Sequence, residues 1–174
     1  HHLAPNGKIG LVLANGALST QSSGEGNIRK NIIEDDLIEG IIAMPTQLFY
    51  SVTIPVTLWF ITKGKKQSGK TLFIDASKEF VKVTNNNKLT EDNIAKIVAS
   101  FVDREDKDYF CRLVYNDKIA EQDYNLSVST YVEQEDTREV INITELNAEI
   151  KRIVAREQVL RDEIDKIIAE IEVE

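Results

Sequence analysis

The sequence predicts an α/β fold: the second half of a nucleotide-type sheet, then a mixed helical region, then one long C-terminal helix of coiled-coil type. From Leu3 to Lys63 the pattern runs strand, helix, strand, strand, with two β-ends, Leu11-Val-Leu-Ala-Asn-Gly16 and Ile41-Ile-Ala-Met-Pro-Thr-Gln-Leu-Phe-Tyr50, that look like strand ends of such a domain. Towards the C-terminus, apolar residues recur in alternating steps of three and four, the period of one helical stripe. The 174 residues are 42% hydrophobic and 7% aromatic, enough for one core of ordinary size and a small appendage.

Lys8-Ile-Gly-Leu-Val-Leu-Ala14 is a nearly continuous apolar run, as expected for a strand buried on both faces of a parallel sheet. Pro5-Asn-Gly7 turns into it. Asn15-Gly16 closes it, and the polar Ser19-Thr-Gln-Ser-Ser-Gly24 that follows makes the connection a β-to-α loop rather than a hairpin. A helix is predicted over Glu25 to Asp36, with Ile28, Ile32 and Ile33 on one face and Asn27 or Ser23 as its cap. Leu37 to Met44 is a second buried strand, stopped by Pro45. After the loop Thr46 to Ser51, Val52 to Thr62 is β-branched and aromatic enough for a third strand, with Pro55 near its start or on an edge.

The basic Lys63-Gly-Lys-Lys-Gln-Ser-Gly-Lys70 reads as a solvated hairpin tip, with phosphate contact as the alternative. Thr71 to Asp75 is a fourth strand and Asn85-Asn-Asn87 a loop. Thr90, with Asp92 and Asn93, starts an amphipathic helix over Ile94 to Phe101. Asp103 to Asp108 is a charged linker, Phe110 to Tyr115 a short strand and Asp123 to Leu126 a packed turn. The division expected is 1–76 for the sheet, 77–137 for the mixed helical extension and 138–174 for the long helix.

That helix carries the clearest periodicity in the chain. Ile143, Leu146, Ile150, Ile153, Glu157, Leu160, Ile164, Ile167 and Ile171 form one stripe, with Glu157 its single polar member. Asn142, three residues before Glu145, provides the capping signal. Val140, Val154, Val159 and Ile168 widen the stripe if the helix folds back on its own core. No other segment matches it in length, which favours a helix from another molecule, either a second copy or a different protein.

Composition excludes several function classes. No apolar run reaches the ~18 to 20 residues of a membrane span, and no basic, then apolar, then small-residue leader opens the chain, so a soluble, cytoplasmic protein is expected. One cysteine, Cys111, and two histidines at the extreme terminus give no disulfide and no metal-ligand spacing; His1 and His2 are compatible with either a tag scar or native sequence. Residues 1–70 hold 7 Lys and Arg against 5 Asp and Glu, a net of +2, whereas 71–174 hold 14 against 24, a net of −10. An acidic chain grips a phosphate backbone poorly, so any DNA contact needs partner subunits.

Leu3-Ala-Pro-Asn-Gly-Lys8, Val12-Leu-Ala-Asn-Gly16, Gly26-Asn-Ile-Arg-Lys30, Ile42-Ala-Met-Pro-Thr-Gln-Leu-Phe-Tyr50, Ile54-Pro-Val-Thr-Leu-Trp-Phe60, Leu72-Phe-Ile-Asp-Ala76 and Asp123-Tyr-Asn-Leu-Ser127 follow one another in that order. Up to about Tyr131 the chain thereby resembles the modification (methyltransferase) subunit of type I restriction-modification systems. The resemblance implies the C-terminal part of a Rossmann-like methyltransferase sheet. It further implies transfer of a methyl group from S-adenosylmethionine to the exocyclic amino group of adenine, at a DNA target chosen by a separate specificity subunit.

Two motifs of that family are missing. There is no glycine-rich cofactor loop after the first strand; Gly24-Glu-Gly26 is the single Gly-x-Gly and reads as a helix entrance. The Asn-Pro-Pro-aromatic tetrapeptide, which accepts the target amine and stacks on the flipped base, is also absent. The chain is therefore expected to be a C-terminal fragment that alone binds no S-adenosylmethionine, has no catalytic residue of its own and is inactive.

Substrate-facing residues carried over by the resemblance are Asn15, Gly16, Pro45, Phe49 and Tyr50, in loops that follow strand ends. Phe49 or Tyr50 is the candidate ring to stack on the extruded adenine, set against core packing, the usual role of an aromatic pair after a strand. Trp59 is expected in the core, and Asp75 as a helix-entry cap rather than an acid or base. The partners implied are one specificity subunit and a second modification subunit, reached through Ile143, Leu146, Ile150, Ile153, Leu160, Ile164, Ile167 and Ile171, with DNA bound through the complex. Self-association of the fragment is expected, since half a sheet exposes an edge. The runner-up is a non-enzymatic α/β interaction module that oligomerises through its C-terminal helix. An intact flavodoxin-like nucleotide binder ranks third, for want of a phosphate loop.

Overall fold

A computed structural model describes residues 3–50, 52–135 and 143–171, leaving out the side chains of Ser23, Glu170 and Ile171. His1, His2, Ser51, Val140 and the Asn142 cap lie outside the described residues. The chain divides into two units, His1–Glu135 and Asp136–Glu174.

The first unit runs β1 (Lys8–Ala14), 3-10 turns at Asn15–Leu18 and Ser22–Gly24, α1 (Glu25–Glu34), β2 (Ile38–Ala43), β3 (Val56–Thr62), β4 (Lys70–Asp75), β5 (Val81–Val83), β6 (Asn86–Lys88), α2 (Glu91–Asp103), β7 (Cys111–Tyr115), α3 (Asn116–Glu121) and α4 (Val128–Tyr131). Five strands form one sheet in the order β1-β3-β2-β4-β7. Among the described strands only β2 and β4 pair in parallel. Yet β1, β2 and β4 point the same way, because β3 is antiparallel to both β1 and β2 and lies between them. Their carboxyl ends gather at one sheet edge, together with the start of β3.

Continuous apolar runs become the central strands. Within β4, Phe73 faces one layer with Ile41, Trp59, Ile119 and Leu126, while Leu72 and Ile74 face the other with Ile42, Ile97 and Phe110, as the two-residue strand period requires. In β2 the register slips between Ile38 and Gly40, a bulge that puts Ile38 and Ile41 in the same layer despite their odd spacing. Gly40 is required there. A Cβ would sit 2.9 Å from Phe101 Cε2 and 3.2 Å from the Leu72 carbonyl oxygen. Trp59 is buried in the core, as expected, and donates from Nε1 to Thr57 Oγ1 at 2.9 Å.

Several expectations are corrected. β1 forms where expected but is an exposed edge strand paired on one side only, because β3 separates it from β2. The α1 cap is Gly24, at φ 80°, with no side-chain hydrogen bond; Asn27 lies inside the helix. The helix buries Ile33 and Arg29, while Ile28 is exposed. The basic segment 63–70 is no hairpin tip. It carries the chain across β2, since β3 and β4 are not neighbours. Asn86 and Asn87 pair with Val83 and Lys82 in a small hairpin. The amphipathic helix is longer than expected and starts with a reciprocal box: Asn93 N–H donates to Thr90 Oγ1 at 3.2 Å and Thr90 N–H to Asn93 Oδ1 at 3.0 Å.

The second unit contains α5 (Ile143–Ile171), a single helix of 29 residues. Its stripe residues from Ile143 to Ile167 are 46% to 70% exposed at the apolar positions. Glu157, the polar member, pairs with Arg161 one turn on at 2.7 Å.

Candidate functional site

At the carboxyl edge of β1, β2 and β4 lies a cleft of about 200 Å³, lined by Asn15, Met44, Pro55, Asp75, Ser77 and Ser129 among others. Backbone bonds hold its walls. Asn15 N–H donates to the Pro55 carbonyl at 3.2 Å, Met44 N–H to Val56 at 3.0 Å and Ala76 N–H to Ala43 at 2.9 Å. Asp75 is not a helix cap. Its Oδ1 accepts from the Ser77 N–H at 3.0 Å, closing a turn that leads towards β5 rather than into a helix.

The loop after β2 is pinned from outside the sheet. Asn87 is buried, donates its N–H to the Gln47 carbonyl at 3.0 Å and its Nδ2 to the Thr46 carbonyl at 2.8 Å, and so supports Gln47 at φ 56°. Pro45 is buried behind this clamp. Phe49 and Tyr50 are 48% and 91% exposed, the Phe49 carbonyl accepting from Val52 N–H at 3.1 Å. Both rings offer free faces at the carboxyl edge.

The loop after β1 rests on a buried arginine. Arg29 donates to the carbonyls of Thr20 at 2.6 Å, Ala17 at 3.3 Å and Tyr124 at 3.2 Å, and Leu126 N–H donates to Leu18 at 2.9 Å. Burial pulls the Arg29 pKa down and the nearby Glu25 opposes it. Gly16 has open space where a Cβ would stand. Of the expected site residues, Asn15 lines the cleft; Gly16, Pro45, Phe49 and Tyr50 lie in the two loops at the same edge. Ser127, the last residue of the Asp123 to Ser127 motif, also lines it, as do Ser77, Ser129 and Gln134, which no pattern in the sequence singles out.

The basic segment sits at the opposite edge, after β3 and before β4. Three of its four lysines are engaged locally: Lys65 with Asp36 at 2.5 Å, Lys63 with the Leu3 carbonyl at 2.6 Å, and Lys70 over the Tyr115 ring at 4.4 Å.

In Gly24-Glu-Gly26, Gly24 has open space where a Cβ would stand, and at Gly26 a Cβ would meet the amide end of the Gln21 side chain, Oε1, at 2.0 Å. Among the described residues there is no cluster of His, Cys, Asp and Glu able to hold a metal, and no helix long and apolar enough to cross a membrane. Cys111 is buried, and burial pushes its thiol pKa up.

Residues 1–140 match the protein family described as N-6 DNA Methylase. The chain belongs to that family. It is 53% identical over 104 residues to the Type I restriction enzyme MjaIX methylase subunit of Methanocaldococcus jannaschii, a match covering 58% of this chain and 18% of that protein. It is 43% identical over 162 residues to the MjaVII methylase subunit of the same organism, covering 90% and 28%. Among solved structures, the type I restriction-modification system methyltransferase subunit of Streptococcus thermophilus matches with a TM-score of 0.71 at 38% identity, covering 76% of this chain and 28% of that one. The chain thus spans less than a third of the length of these relatives. The mixed α/β sheet is one that it shares with methyltransferase subunits.

Proposed function

We propose that the chain is a C-terminal piece of a type I modification subunit, which when complete transfers a methyl group from S-adenosylmethionine to the amino group of an adenine in DNA. The observation that carries this reading is that the exposed rings of Phe49 and Tyr50 and the cleft at Asn15 share the carboxyl edge of the sheet, in a member of the N-6 DNA methylase family. In open α/β sheets ligands bind at that edge. An enzyme acting on a base must take it out of the helix stack, and an exposed aromatic ring replaces the lost stacking.

The reading divides the work along the chain. Residues 1–76 supply the base-facing half of the methyltransferase sheet and 77–137 buttress its loops, as Asn87 and Leu126 do. Residues 138–174 reach the specificity subunit and a second modification subunit through the heptad stripe of α5, which pairs as a coiled coil. The net of −10 over 71–174 fits a protein-facing rather than a DNA-facing surface. S-adenosylmethionine binds residues outside this chain, which alone neither holds it nor methylates DNA. A cytoplasmic location goes with DNA as substrate.

The test is a chimera in which this chain replaces the matched stretch of the Streptococcus thermophilus subunit. Stacking on a base contributes roughly 1 to 3 kcal/mol, so Phe49→Ala or Tyr50→Ala should lower adenine methylation about 5- to 150-fold. The same variant should dim the fluorescence of 2-aminopurine placed at the target base. A double variant that keeps full activity and the full 2-aminopurine signal contradicts the stacking role.

A further inference from the structure

The acidic part of the chain contains a basic island, and it leaves the sheet at the carboxyl end of β4. Residues 77–89 hold Lys78, Lys82 and Lys88 against Glu79, a local net of +2 inside the −10 of residues 71–174. Glu79 is already answered from α2, accepting from Lys96 and, at 3.1 Å, from Asn93 Nδ2. All three lysines are exposed. The other lysines of residues 3–135, Lys66 apart, each meet a carboxylate, a carbonyl oxygen or an aromatic ring. Lys78, Lys82 and Lys88 form no such contact among the described residues.

The β5–β6 hairpin places two of these cations next to the aromatic loop. Lys82 pairs across it with Asn87, and Val81 with Lys88. Residues directly opposite each other in an antiparallel pair share a face. Lys82 therefore stands on the face where Asn87 bonds the Thr46 and Gln47 carbonyls, beside the loop that carries Phe49 and Tyr50. Lys88, the next residue after Asn87, stands on the other face with Val81. Lys78 differs, because it lines a cleft with Asp75, Asp108 and Glu135, whose carboxylates counter its charge.

Turning a nucleotide out of the stack swings it about its own backbone, so the phosphates on either side must be held while a ring takes the base. Lysines hold phosphates as point charges, fixing position without reading sequence. We infer that the β5–β6 hairpin grips the DNA backbone beside the extruded adenine, with Lys82 and Lys88 neutralising the flanking phosphates. The inference rests on the reading of the carboxyl edge as base-facing. It assigns a DNA contact to the acidic part of the chain, whose net charge alone points to protein.

The test uses the chimeric Streptococcus thermophilus subunit carrying this chain, assembled with its specificity subunit, and a duplex with one target adenine. Each phosphate contact contributes about 0.9 to the slope of log K against log salt, so Lys82→Gln with Lys88→Gln should make the slope shallower by about 1.8. A grip kept equally in the ground and transition states changes KM alone, so the KM for DNA should rise about tenfold or more with kcat unchanged. Both positions are exposed, and the urea midpoint should not move. Lys82→Arg with Lys88→Arg, which keeps the charge, should keep the original slope. Uncharged methylphosphonates in place of the two flanking phosphates should weaken binding of the unsubstituted protein and add little to the double Gln variant. An unchanged slope overturns the inference, including where the double Gln variant loses the specificity subunit instead, and so do methylphosphonate and lysine losses that simply add. The stacking role is read from the 2-aminopurine signal at saturating DNA, which the double Gln variant should leave intact, so the two failures are distinguishable.

Discussion

Arg104 clamps the bulge in β2 through Glu39. Its Nη1 and Nη2 each donate to the Glu39 carbonyl at 3.2 Å, the guanidinium lies 3.7 Å from the Glu39 carboxylate, and both residues are buried. Arg104 reaches this position because it ends α2 at φ 56°, which turns the chain back towards the sheet. Burial lowers the Arg104 pKa and the Glu39 carboxylate opposes that.

Removing one partner of a buried pair leaves the other uncompensated. Arg104→Met leaves Glu39 with the more distant attraction of Lys8, at 4.0 Å, and Lys65, and should cost about 3 to 5 kcal/mol in urea unfolding. Arg104→Met combined with Glu39→Gln should recover part of that loss. A cost below about 1 kcal/mol for the single variant contradicts the clamp, because only exposed pairs are that weak.

Asp36 predicts an acid dependence. Burial by itself would raise its carboxyl, but hydrogen bonds from Lys65, Gly69 N–H and Ser68 outweigh that and hold the carboxyl below its ordinary value. Asn116 Nδ2 adds a further bond at 2.8 Å. A folded-state pKa that is depressed gives stability present above the unfolded pKa of about 3.9 and lost as the pH falls through the folded value. Asp36→Asn should cost about 2 kcal/mol at pH 7 and less as the pH is lowered through 4 towards 2, measured by urea midpoints across that range. An equal cost at both ends of the range contradicts the assignment.

Tyr131 governs the alkaline side. Burial pushes its phenol up to about 12, its hydroxyl donates to the Asn125 carbonyl, and its ring packs at 4.3 Å from Phe73. A raised folded pKa gives stability that is complete below the unfolded value of about 10 and lost as the pH rises towards the folded one. Tyr131→Phe should cost about 1 kcal/mol at pH 7 for the lost hydrogen bond, with a flatter stability profile between pH 10 and 12. Parallel profiles for the two proteins would count against it.

The stripe on α5 predicts assembly without a role in the fold of the first unit. Ile150→Asp, Ile153→Asp and Ile164→Asp together should abolish association with the specificity subunit in sedimentation and leave the urea midpoint of residues 1–135 unchanged, since these side chains are exposed. Undiminished association sinks the partner role.

The strands were legible because Ile41-Ile42 and Leu72-Phe73-Ile74 are apolar at consecutive positions, a pattern that fits a strand covered on both sides. The same logic put β1 inside the sheet, covered on both faces, where it is an exposed edge. An apolar strand reads alike whether its cover comes from the described chain or from elsewhere. Arg29 and Arg104 were illegible because a lone arginine in a polar stretch reads as solvated, while its burial depends on carbonyls distant in sequence, those of Tyr124 and Glu39. The short helices α3 and α4 are below the length at which periodicity shows. Asn15, Phe49 and Tyr50 were singled out by the order of residues around them, and the fold puts Asn15 in the cleft and the two rings in a loop at the same edge, whereas Ser77 and Ser129 reach the cleft only through the fold.

The central claim is that the chain carries the base-facing edge of a methyltransferase sheet and not the seat of the methyl donor. Calorimetric titration of the chain with S-adenosylmethionine tests it most directly. The account predicts no saturable heat in the micromolar range, and a saturable isotherm with a micromolar dissociation constant would contradict it.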